Sequence, residues 1–392
     1  MRQIADSTFA VVANGTADQP PASGLHEFLR AEGARKVTTI FHPLEPEDEP
    51  YHEITVYERG RRTRTRRVPL PSKPPYTFAL DPLVPPWPGR VDGWFAFNNL
   101  AAARGLLARR LGRAGKVVYW AVDFVPDRFG TGALTRLYDS LDAYCCRTVD
   151  GRIELSQPAL SGRNERHGLT DGAAAPAQIV PIGVWLDRVP HAPEDALAKR
   201  RIVFIGHLVK RQGVGLLLEA LQLLGERGAE FECEIAGHGP LAEELRADAQ
   251  RRGLDSRVRF VGFLDDHRDV EAFLAGGTVA VAPYDPTGQT FTRYADPSKL
   301  KSYLAAGLPI LTTDVPPNAE ELVDKAGAEI FGWDPEALAG SIERLLADEV
   351  EWQRRRAAAL HYIGGYDWAN LLAPALERIG FFSSRRNGDA PQ

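Results

Sequence analysis

The sequence predicts an α/β protein built from two doubly wound domains. The chain has 392 residues, which is enough for two domains at about 100–200 residues each. In both halves, short apolar runs of strand length alternate with longer amphipathic stretches, a pattern typical of βαβ units with parallel sheets. Apolar residues make up 44% and charged residues 25%, close to the composition of an average globular protein, so large-scale disorder is excluded.

The first half contains five apolar runs of strand length and one predicted hairpin. The hairpin joins residues 54–60 to residues 66–71 across an Arg-rich turn. The strands are predicted at residues 8–13, 37–43, 94–99, 116–123 and 177–183, and helices at 24–34 and 100–113. Residues 134–150 are predicted to run from helix into strand, and residues 152–168 from strand into helix.

The second half repeats the alternation more regularly. Strands are predicted at residues 201–207, 231–236, 258–264, 278–284, 308–314 and 328–333, with helices between them. We therefore predict a first domain over 1–185, a second over 186–360, a C-terminal helix over 361–381 that crosses back to the first domain, and a disordered tail over 382–392. Ligands are expected between the domains, beyond the carboxyl ends of the strands.

Composition excludes several classes of protein. The net charge of −5 argues against a nucleic-acid-binding protein. Three cysteines in no metal-binding spacing are interpreted as buried apolar residues. No apolar run reaches the length of a membrane span and the first residues lack a signal-peptide layout, so a cytoplasmic location is expected. Neither GxGxxG after the first strand nor GxxxxGK[ST] is present, which disfavours a simple dinucleotide oxidoreductase and a P-loop NTPase.

The second half also carries a series of short segments in a fixed order. They are Val180–Val184, Phe204–Leu208 with Gly213, Ala236–Pro240, Phe260–Phe263, Val281–Tyr284, Pro297–Leu300 and Tyr303–Pro309. Together they resemble the nucleotide-sugar-binding domain of GT-B glycosyltransferases, whose two Rossmann-like domains face each other across a cleft. The resemblance implies a donor site that contains Gly206, His207, Lys210, Gly237, Gly262, Phe263, Tyr284, Ser298 and Lys299.

The chain departs from the large retaining GT-B family at four positions, and these differences exclude it as a standard member of that family. His207 and Gln212 stand where that family carries Arg and Lys, and Tyr294 and Ser302 stand where it carries a pair of Glu residues. The chain is closer in motif to the inverting glucuronosyltransferase of xanthan-type exopolysaccharide synthesis, which has a similar strand end at Tyr284 and a similar Ser and Lys fourteen residues later. That relative also has a strand like Val118–Asp123, and its catalytic Asp implies that Asp123 is the base here.

The chemistry of sugar transfer fits these residue types. A leaving diphosphate needs a cation, and Lys299 at a helix start beside a capping Ser298 can provide one. Gly206 permits close approach of the backbone to a ligand, and Lys210 or Arg211 is a candidate second cation. Asp123 ends an apolar strand, so its carboxylate can take the acceptor proton. A helix cap or a loop ion pair is the alternative role of Asp123, and Asp127 is the competing base.

The acceptor side and the nucleobase are less clearly marked. Asn14, Gly15 and Thr16 at the end of the first strand are predicted to line the acceptor site, with Phe124 and Phe129 as sugar platforms. The Gly262–Phe263 backbone is predicted to hold the base, with Tyr284 on sugar or phosphate. Glu234 and Asp285 are candidate ribose partners. Asp265, Asp266 and His267 are interpreted as a helix start rather than a metal site, and neither a metal nor a cofactor is expected.

The predicted function is therefore glycosyl transfer by inversion, from a nucleotide diphosphate sugar, with a UDP-sugar favoured, to a hydroxyl acceptor. The acceptor is a lipid-linked glycan or a natural product. Two basic segments favour peripheral contact with an anionic membrane, aided by Trp87, Trp94 and Phe95. The basic residues are Arg59, Arg61, Arg62, Arg64, Arg66 and Arg67 in one segment and Arg104, Arg109, Arg110 and Arg113 in the other. A retaining GT-B transferase, a non-catalytic sugar-nucleotide or glycan-binding subunit, and a GT-B epimerase are the alternatives.

Overall fold

The structure is a computed structural model that describes residues 4–15, 20–43, 50–69, 87–170, 172–264, 266–288 and 291–381. Its contacts divide the chain into two compact units. Unit 1 consists of residues 1–183 and 368–392, and unit 2 of residues 184–367. The predicted C-terminal tail, 382–392, lies outside the described residues.

Unit 1 follows the predicted alternation of strands and helices. Its elements up to the crossover are β1 (Thr8–Asn14), α1 (Ala22–Ala31), β2 (Lys36–His42), β3 (Tyr51–Glu58), β4 (Arg61–Pro69), β5 (Val91–Ala96), α2 (Asn99–Arg110), β6 (Ala114–Ala121), β7 (Arg128–Thr131), α3 (Ala133–Thr148), β8 (Gly151–Glu154), α4 (Gln157–His167) and β9 (Ala177–Ile179). Among the described residues, an eight-stranded sheet has the order β4-β3-β2-β1-β5-β6-β8-β9.

Most of this sheet is parallel, and its strands are apolar because helices cover both faces. The exception is the hairpin of β3 and β4, which extends the sheet antiparallel beyond β2. Its turn lies at residues 59–60, so the Arg-rich segment that was predicted to be the turn is part of β4. Because β1 lies between β2 and β5, the strand order reverses direction between β1 and β5. Such a reversal opens a crevice at the carboxyl edge of a parallel sheet.

Unit 2 contains six parallel strands. Its elements are β10 (Arg201–Ile205), α5 (Val214–Glu226), β11 (Glu232–Ala236), α6 (Ala242–Arg251), β12 (Val258–Gly262), α7 (His267–Ala275), β13 (Val279–Ala282), α8 (Ser298–Ala305), β14 (Ile310–Thr312), α9 (Ala319–Ala326), β15 (Glu329–Ile330), α10 (Pro335–Ala347) and α11 (Glu349–Ile363). The order β12-β11-β10-β13-β14-β15 places its reversal between β10 and β13.

The chain returns to unit 1 later than the sequence indicated. The predicted returning helix began at residue 361, but α11 continues to Ile363 and one 3-10 turn spans Gly364–Tyr366. The returning helix is α12 (Trp368–Arg378), which contacts α1. Gly24 of α1 lies against the Trp368 ring, where an added Cβ would come within 2.3 Å of it. The bulky Trp therefore needs a glycine opposite.

Two smaller predictions also have structural outcomes. Cys145, Cys146 and Cys233 are free and buried, as predicted. Within the residues that the structure describes, no helix is both long enough and apolar enough to cross a bilayer.

Candidate active site

Side chains at the carboxyl edge of the unit 1 sheet contact each other across strands. Asn14 ends β1, and its Oδ1 accepts a hydrogen bond from Nδ2 of Asn98, which follows β5. Asn98 also caps α2, because its Oδ1 accepts from the Ala101 N–H at 2.8 Å. Gly15 adopts a φ of +98°, which favours glycine. Asn14 and Gly15 thus lie at the edge where the acceptor site was predicted, and Thr16 lies outside the described residues.

Asp123 follows β6 at the same edge and has a half-exposed carboxylate. Its side chain is 50% exposed, and Oδ2 lies 3.4 Å from Nη2 of Arg128. The main-chain carbonyl of Asp123 accepts a hydrogen bond of 2.7 Å from Nη2 of Arg163. A solvent-accessible carboxylate on an anchored backbone is suited to take a proton from a bound hydroxyl group. The carboxylate of the competing Asp127 is equally exposed, and it accepts a bond of 2.7 Å from Arg166.

The two phenylalanines near Asp123 differ from the prediction. Phe124 is buried, and the Arg163 guanidinium lies 5.4 Å from its ring centroid, so the ring is not an exposed platform for a sugar. Its apolar bulk packs against the anchoring arginine instead. Phe129 is exposed and meets the Tyr138 ring edge to face at 5.6 Å.

A buried polar network lies beneath Asp123. Asp142 accepts hydrogen bonds from the Tyr119 hydroxyl at 2.6 Å and from Arg163 Nη1 at 2.5 Å, and its Oδ2 lies 2.7 Å from His167 Nε2. Burial alone would raise the pKa of Asp142. The Arg163 charge and the bonds from His167 and Tyr119 outweigh it and lower that pKa to about 2.

A pair of histidines at this edge was missed by sequence reasoning. His42 ends β2 in register with Asn14, and its Nδ1 lies 2.8 Å from Nδ1 of His52 on β3. Burial and the positive charge of Arg104 lower the pKa of His52 to about 4, and burial, His52 and Arg104 lower that of His42. The antiparallel register of β2 with β3 pairs Phe41 with Glu53 and brings the two histidines together, whereas the predicted hairpin joined only β3 and β4.

The unit 2 sheet has glycines after three neighbouring strands. Gly206 follows β10, Gly237 follows β11 and Gly262 ends β12. Gly237 has a φ of +149°, and an added Cβ would lie 1.9 Å from the Gly206 carbonyl oxygen. The Gly237 N–H donates to the Gly262 carbonyl at 2.7 Å. The predicted donor glycines Gly206 and Gly237 are therefore in close backbone contact, which a side chain at Gly237 would prevent.

Exposed rings follow the same glycines in a row. The centroids of His207 and His238 are 5.2 Å apart, and Phe263 meets His238 edge to face at 4.6 Å. The Phe263 side chain is 58% exposed. His207 and Phe263 were predicted site residues, whereas His238 was considered only as part of a turn.

Lys299 lies at the start of α8 with its ammonium group between two rings. Nζ lies 4.5 Å from the Phe204 centroid and 4.3 Å from the Tyr284 centroid, and it donates to Gln212 Oε1. Burial lowers the pKa of Lys299 from 10.5 to about 7. Gln212 stands where the large retaining family carries a Lys, and its amide oxygen accepts the hydrogen bond from Lys299. The candidate second cations, Lys210 and Arg211, precede it on a short 3-10 turn.

Other predicted donor residues have different environments. The Tyr284 ring is buried beneath Lys299 rather than open to a sugar or phosphate. Ser298 is the first residue of α8 and does not cap it, since Pro297 occupies the cap position without a side-chain hydrogen bond. Lys210 is exposed on a short 3-10 turn, Lys210–Gln212.

The candidate ribose and metal residues have structural roles. Glu234 is buried and accepts from Arg259, and Asp285 accepts from the Thr287 backbone N–H at 2.8 Å and from its hydroxyl at 2.6 Å. Asp266 caps α7 by accepting from the Arg268 N–H at 2.8 Å, and Asp265 lies outside the described residues. Among the side chains that the structure describes, no three metal-ligating groups come together.

Comparison with known proteins agrees with this arrangement. Residues 199–348 match the family model described as glycosyl transferases group 1. The chain is 30% identical over 236 residues to phosphatidyl-myo-inositol mannosyltransferase of Mycobacterium leprae. This alignment covers 59% of this chain and 59% of the relative. It is 26% identical over 374 residues to a GDP-mannose-dependent alpha-(1-6)-phosphatidylinositol dimannoside mannosyltransferase of Mycobacterium tuberculosis, covering 86% of this chain and 90% of the relative.

A solved structure shows the same fold over nearly the whole chain. WaaG, a glycosyltransferase involved in lipopolysaccharide biosynthesis, aligns with a TM-score of 0.65 at 17% identity, covering 96% of this chain and 100% of WaaG. The protein thus has the predicted α/β fold of the GT-B class, with two parallel-sheet units. Residues 199–348, which match the group 1 glycosyl transferase model, lie within unit 2. The relatives include mannosyltransferases, and their names give no support to a glucuronosyl specificity.

Proposed function

We propose that the protein transfers a hexose from a nucleoside diphosphate sugar to a hydroxyl acceptor. The observation that carries the proposal is Lys299, a half-buried cation whose partners Phe204 and Gln212 both border Gly206, within the residues that match the group 1 glycosyl transferase model. A diphosphate leaving group gains most from a cation whose surroundings exclude water. Exposed backbone at the glycines permits close approach of the ligand.

The proposed reaction is a direct displacement. The acceptor oxygen forms a bond to the anomeric carbon as the bond from that carbon to the diphosphate oxygen breaks. Asp123 takes the proton of the acceptor hydroxyl group, and Lys299 stabilises the negative charge that develops on the diphosphate. One displacement inverts the anomeric carbon. The half-exposed carboxylate of Asp123 supports its role as the base.

Retention of configuration is the second candidate. The name of the M. tuberculosis relative specifies an alpha linkage made from GDP-mannose, an alpha-linked donor. Tyr294 and Ser302 provide no carboxylate at the positions where retaining relatives were expected to carry Glu. UDP-sugars remain the predicted donors, and GDP-mannose is the alternative that this relative favours.

We further propose a lipid-linked acceptor and peripheral contact with an anionic membrane. The support is the phosphatidylinositol acceptors named for both mycobacterial relatives, together with an exposed basic strand in unit 1. Residues 61–67 of β4 are all exposed, and five of them are arginines. Basic side chains near an anionic lipid surface contribute about 1 kcal/mol each.

The decisive experiment measures transfer and product configuration together. Wild type, Asp123→Asn and Lys299→Met are incubated with UDP-glucose, UDP-glucuronic acid or GDP-mannose and a polyprenyl-linked or phosphatidylinositol acceptor. The product is analysed by NMR for its anomeric configuration. We expect an inverted product and a loss of transfer of at least about 100-fold in Asp123→Asn. The matched control is Asp127→Asn, which removes the neighbouring carboxylate.

Each result that differs from these expectations contradicts a different part of the proposal. A retained configuration contradicts the displacement, and wild-type transfer by Asp123→Asn contradicts the base. Donor binding by calorimetry without transfer or hydrolysis would favour a non-catalytic subunit. Conversion of the donor sugar without an acceptor would favour an epimerase.

A further inference from the structure

We propose that Arg163 is a positioning residue, which holds the backbone at Asp123 so that the carboxylate meets the acceptor. The inference rests on the proposed role of Asp123 as the base. Arg163 lies on α4, 40 positions along the chain from Asp123, and its side chain is 2% exposed. It therefore acts from beneath the site without contact with either substrate.

Three nitrogens of the guanidinium group bind three different elements. Nη2 donates to the Asp123 carbonyl at 2.7 Å, Nη1 to Asp142 on α3 at 2.5 Å, and Nε lies 3.0 Å from Glu154 Oε1 at the end of β8. A planar guanidinium has its donors in fixed directions and can make all three contacts at once, which a lysine ammonium cannot do in the same geometry. The Asp123 loop is thereby tied to α3, α4 and β8.

Arg163 does more than neutralise buried carboxylates, because it also donates a hydrogen bond to the Asp123 carbonyl. Arg152 also lies beside Glu154, at 3.9 Å, and is as deeply buried. Its hydrogen bonds in the described part of the chain go to the Asn164 side chain and the Ala175 carbonyl, and not to Asp123. A second buried arginine thus shares the same carboxylate without anchoring the loop. Of these two arginines, Arg163 alone connects the buried charges to the backbone of the proposed base.

Asp142 fixes the direction of this anchor. One carboxylate oxygen accepts a hydrogen bond from Tyr119, and the other accepts one from Arg163 and lies close to His167. The carboxylate is therefore held from three sides. The guanidinium plane is consequently set by buried partners and not by solvent. A change here would release the backbone at Asp123, and a misplacement of about 1 Å is enough to cost about 100-fold in rate.

The test compares Arg163→Lys with Arg152→Lys as the matched buried control. We expect Arg163→Lys to lower kcat about 10- to 100-fold, while the calorimetric Kd for the donor changes less than about twofold. Arg152→Lys should leave the kcat near that of wild type. Circular dichroism and the thermal midpoint establish that each variant is folded. Should Arg163→Lys not fold, Asp142→Asn replaces it, with a smaller loss of kcat in the same direction.

A double-mutant cycle separates positioning from general structural damage. Residual transfer by Asp123→Asn is measured in long incubations with radiolabelled donor. If Arg163 acts through Asp123, adding Arg163→Lys to Asp123→Asn causes no further loss. A full additional loss in that background, or wild-type kcat in folded Arg163→Lys, would overturn the positioning role. Wild-type transfer by Asp123→Asn would instead overturn the base assignment of the proposed function.

Discussion

Lys299 is the residue in unit 2 where stability and proposed function conflict most directly. Its ammonium lies between the Phe204 and Tyr284 rings, and burial lowers its pKa to about 7. The unfolded chain binds this proton below its ordinary pKa of about 10.5. Between about pH 10 and pH 7 the native state therefore loses stability as the pH falls, and the cost is fully present below pH 7. A bound diphosphate would recover it by pairing with the charge.

This conflict makes Lys299→Met a stabilising but inactive variant. We expect its free energy of unfolding to rise by about 1 kcal/mol at pH 7. The gain should shrink as the pH rises towards 10, because neutral Lys299 no longer carries the cost. Urea unfolding at pH 7 and pH 9.5 measures the gain, and calorimetry measures the loss of donor binding. Lys325→Met, at an exposed lysine of α9, is the control. Unchanged donor binding in Lys299→Met would remove Lys299 from the site.

For single residues, sequence reasoning identified the functional residue types at strand ends but not the side chains that contact them. Lys299 and Asp123 were recognisable because each follows a motif of fixed spacing. The anchor Arg163 was not, because its bond to Asp123 spans 40 positions of the chain and depends on how α4 packs. Likewise, Tyr284 carried the expected motif, but only the three-dimensional packing shows its ring to be buried under Lys299.

Among the elements, α2 and α3 together present apolar side chains to solvent. We refer to Leu107, Leu111, Leu134, Leu137 and Tyr144 as the α2–α3 surface. All are exposed, Leu137 by 67%, and Arg110 of α2 donates to the Tyr144 hydroxyl at 2.9 Å. A row of exposed leucines beside basic side chains is the pattern of helices that lie at a membrane interface. From the sequence, the apolar contacts with the membrane were predicted at Trp87, Trp94 and Phe95 instead.

The predicted apolar membrane contacts at Trp94 and Phe95 are wrong, because both side chains face the interior. Trp94 and Phe95 are in the core of the sheet, and Arg104 is buried with its guanidinium 4.9 Å from the Trp87 ring centroid. Arg109 pairs with Asp150 at 2.6 Å. Helical periodicity alone does not show which face of α2 is covered, since apolar and basic residues alternate along it.

We predict that the α2–α3 surface contributes to lipid binding. The double substitution Leu134→Ser/Leu137→Ser should weaken binding to vesicles of phosphatidylcholine with 30% phosphatidylglycerol about tenfold, since it removes two exposed leucines from the interface. Co-sedimentation measures the bound fraction. Val350→Ser, at an 81% exposed position on α11 of unit 2, should have no effect. Equal binding by all variants, or binding that persists on pure phosphatidylcholine, would argue against this surface.

For the whole molecule, the alternation of strands and helices was sufficient to predict both sheets and the hairpin. The crossover points were less accurate, because α11 and α12 are separated only by Gly364, Gly365 and a short turn. The two glycines are the sequence signal for this turn, and the predicted boundary at residue 361 lies three residues before them. The strand orders were also beyond the sequence, since they depend on which helix crosses which face of the sheet.

The two units have separate hydrophobic cores, and this separation has a thermodynamic consequence. One core consists of residues between 192 and 363, and another of residues between 10 and 175. The two clusters share no residue, so we expect two transitions in differential scanning calorimetry. The proposed donor residues belong to unit 2, and a donor should therefore stabilise that unit alone.

A donor at 100 times its Kd adds about 2.7 kcal/mol to the unit that binds it. For a unit of this size the midpoint should rise by roughly 5–10 °C, while the other transition remains in place. Lys299→Met identifies the unit 2 transition, because it should shift that transition and abolish its response to ligand. To identify the nucleobase of the donor, UDP-glucose and GDP-mannose are compared at equal saturation. One transition that moves as a whole would show that the units unfold together, and a shift confined to the other transition would place the donor in unit 1.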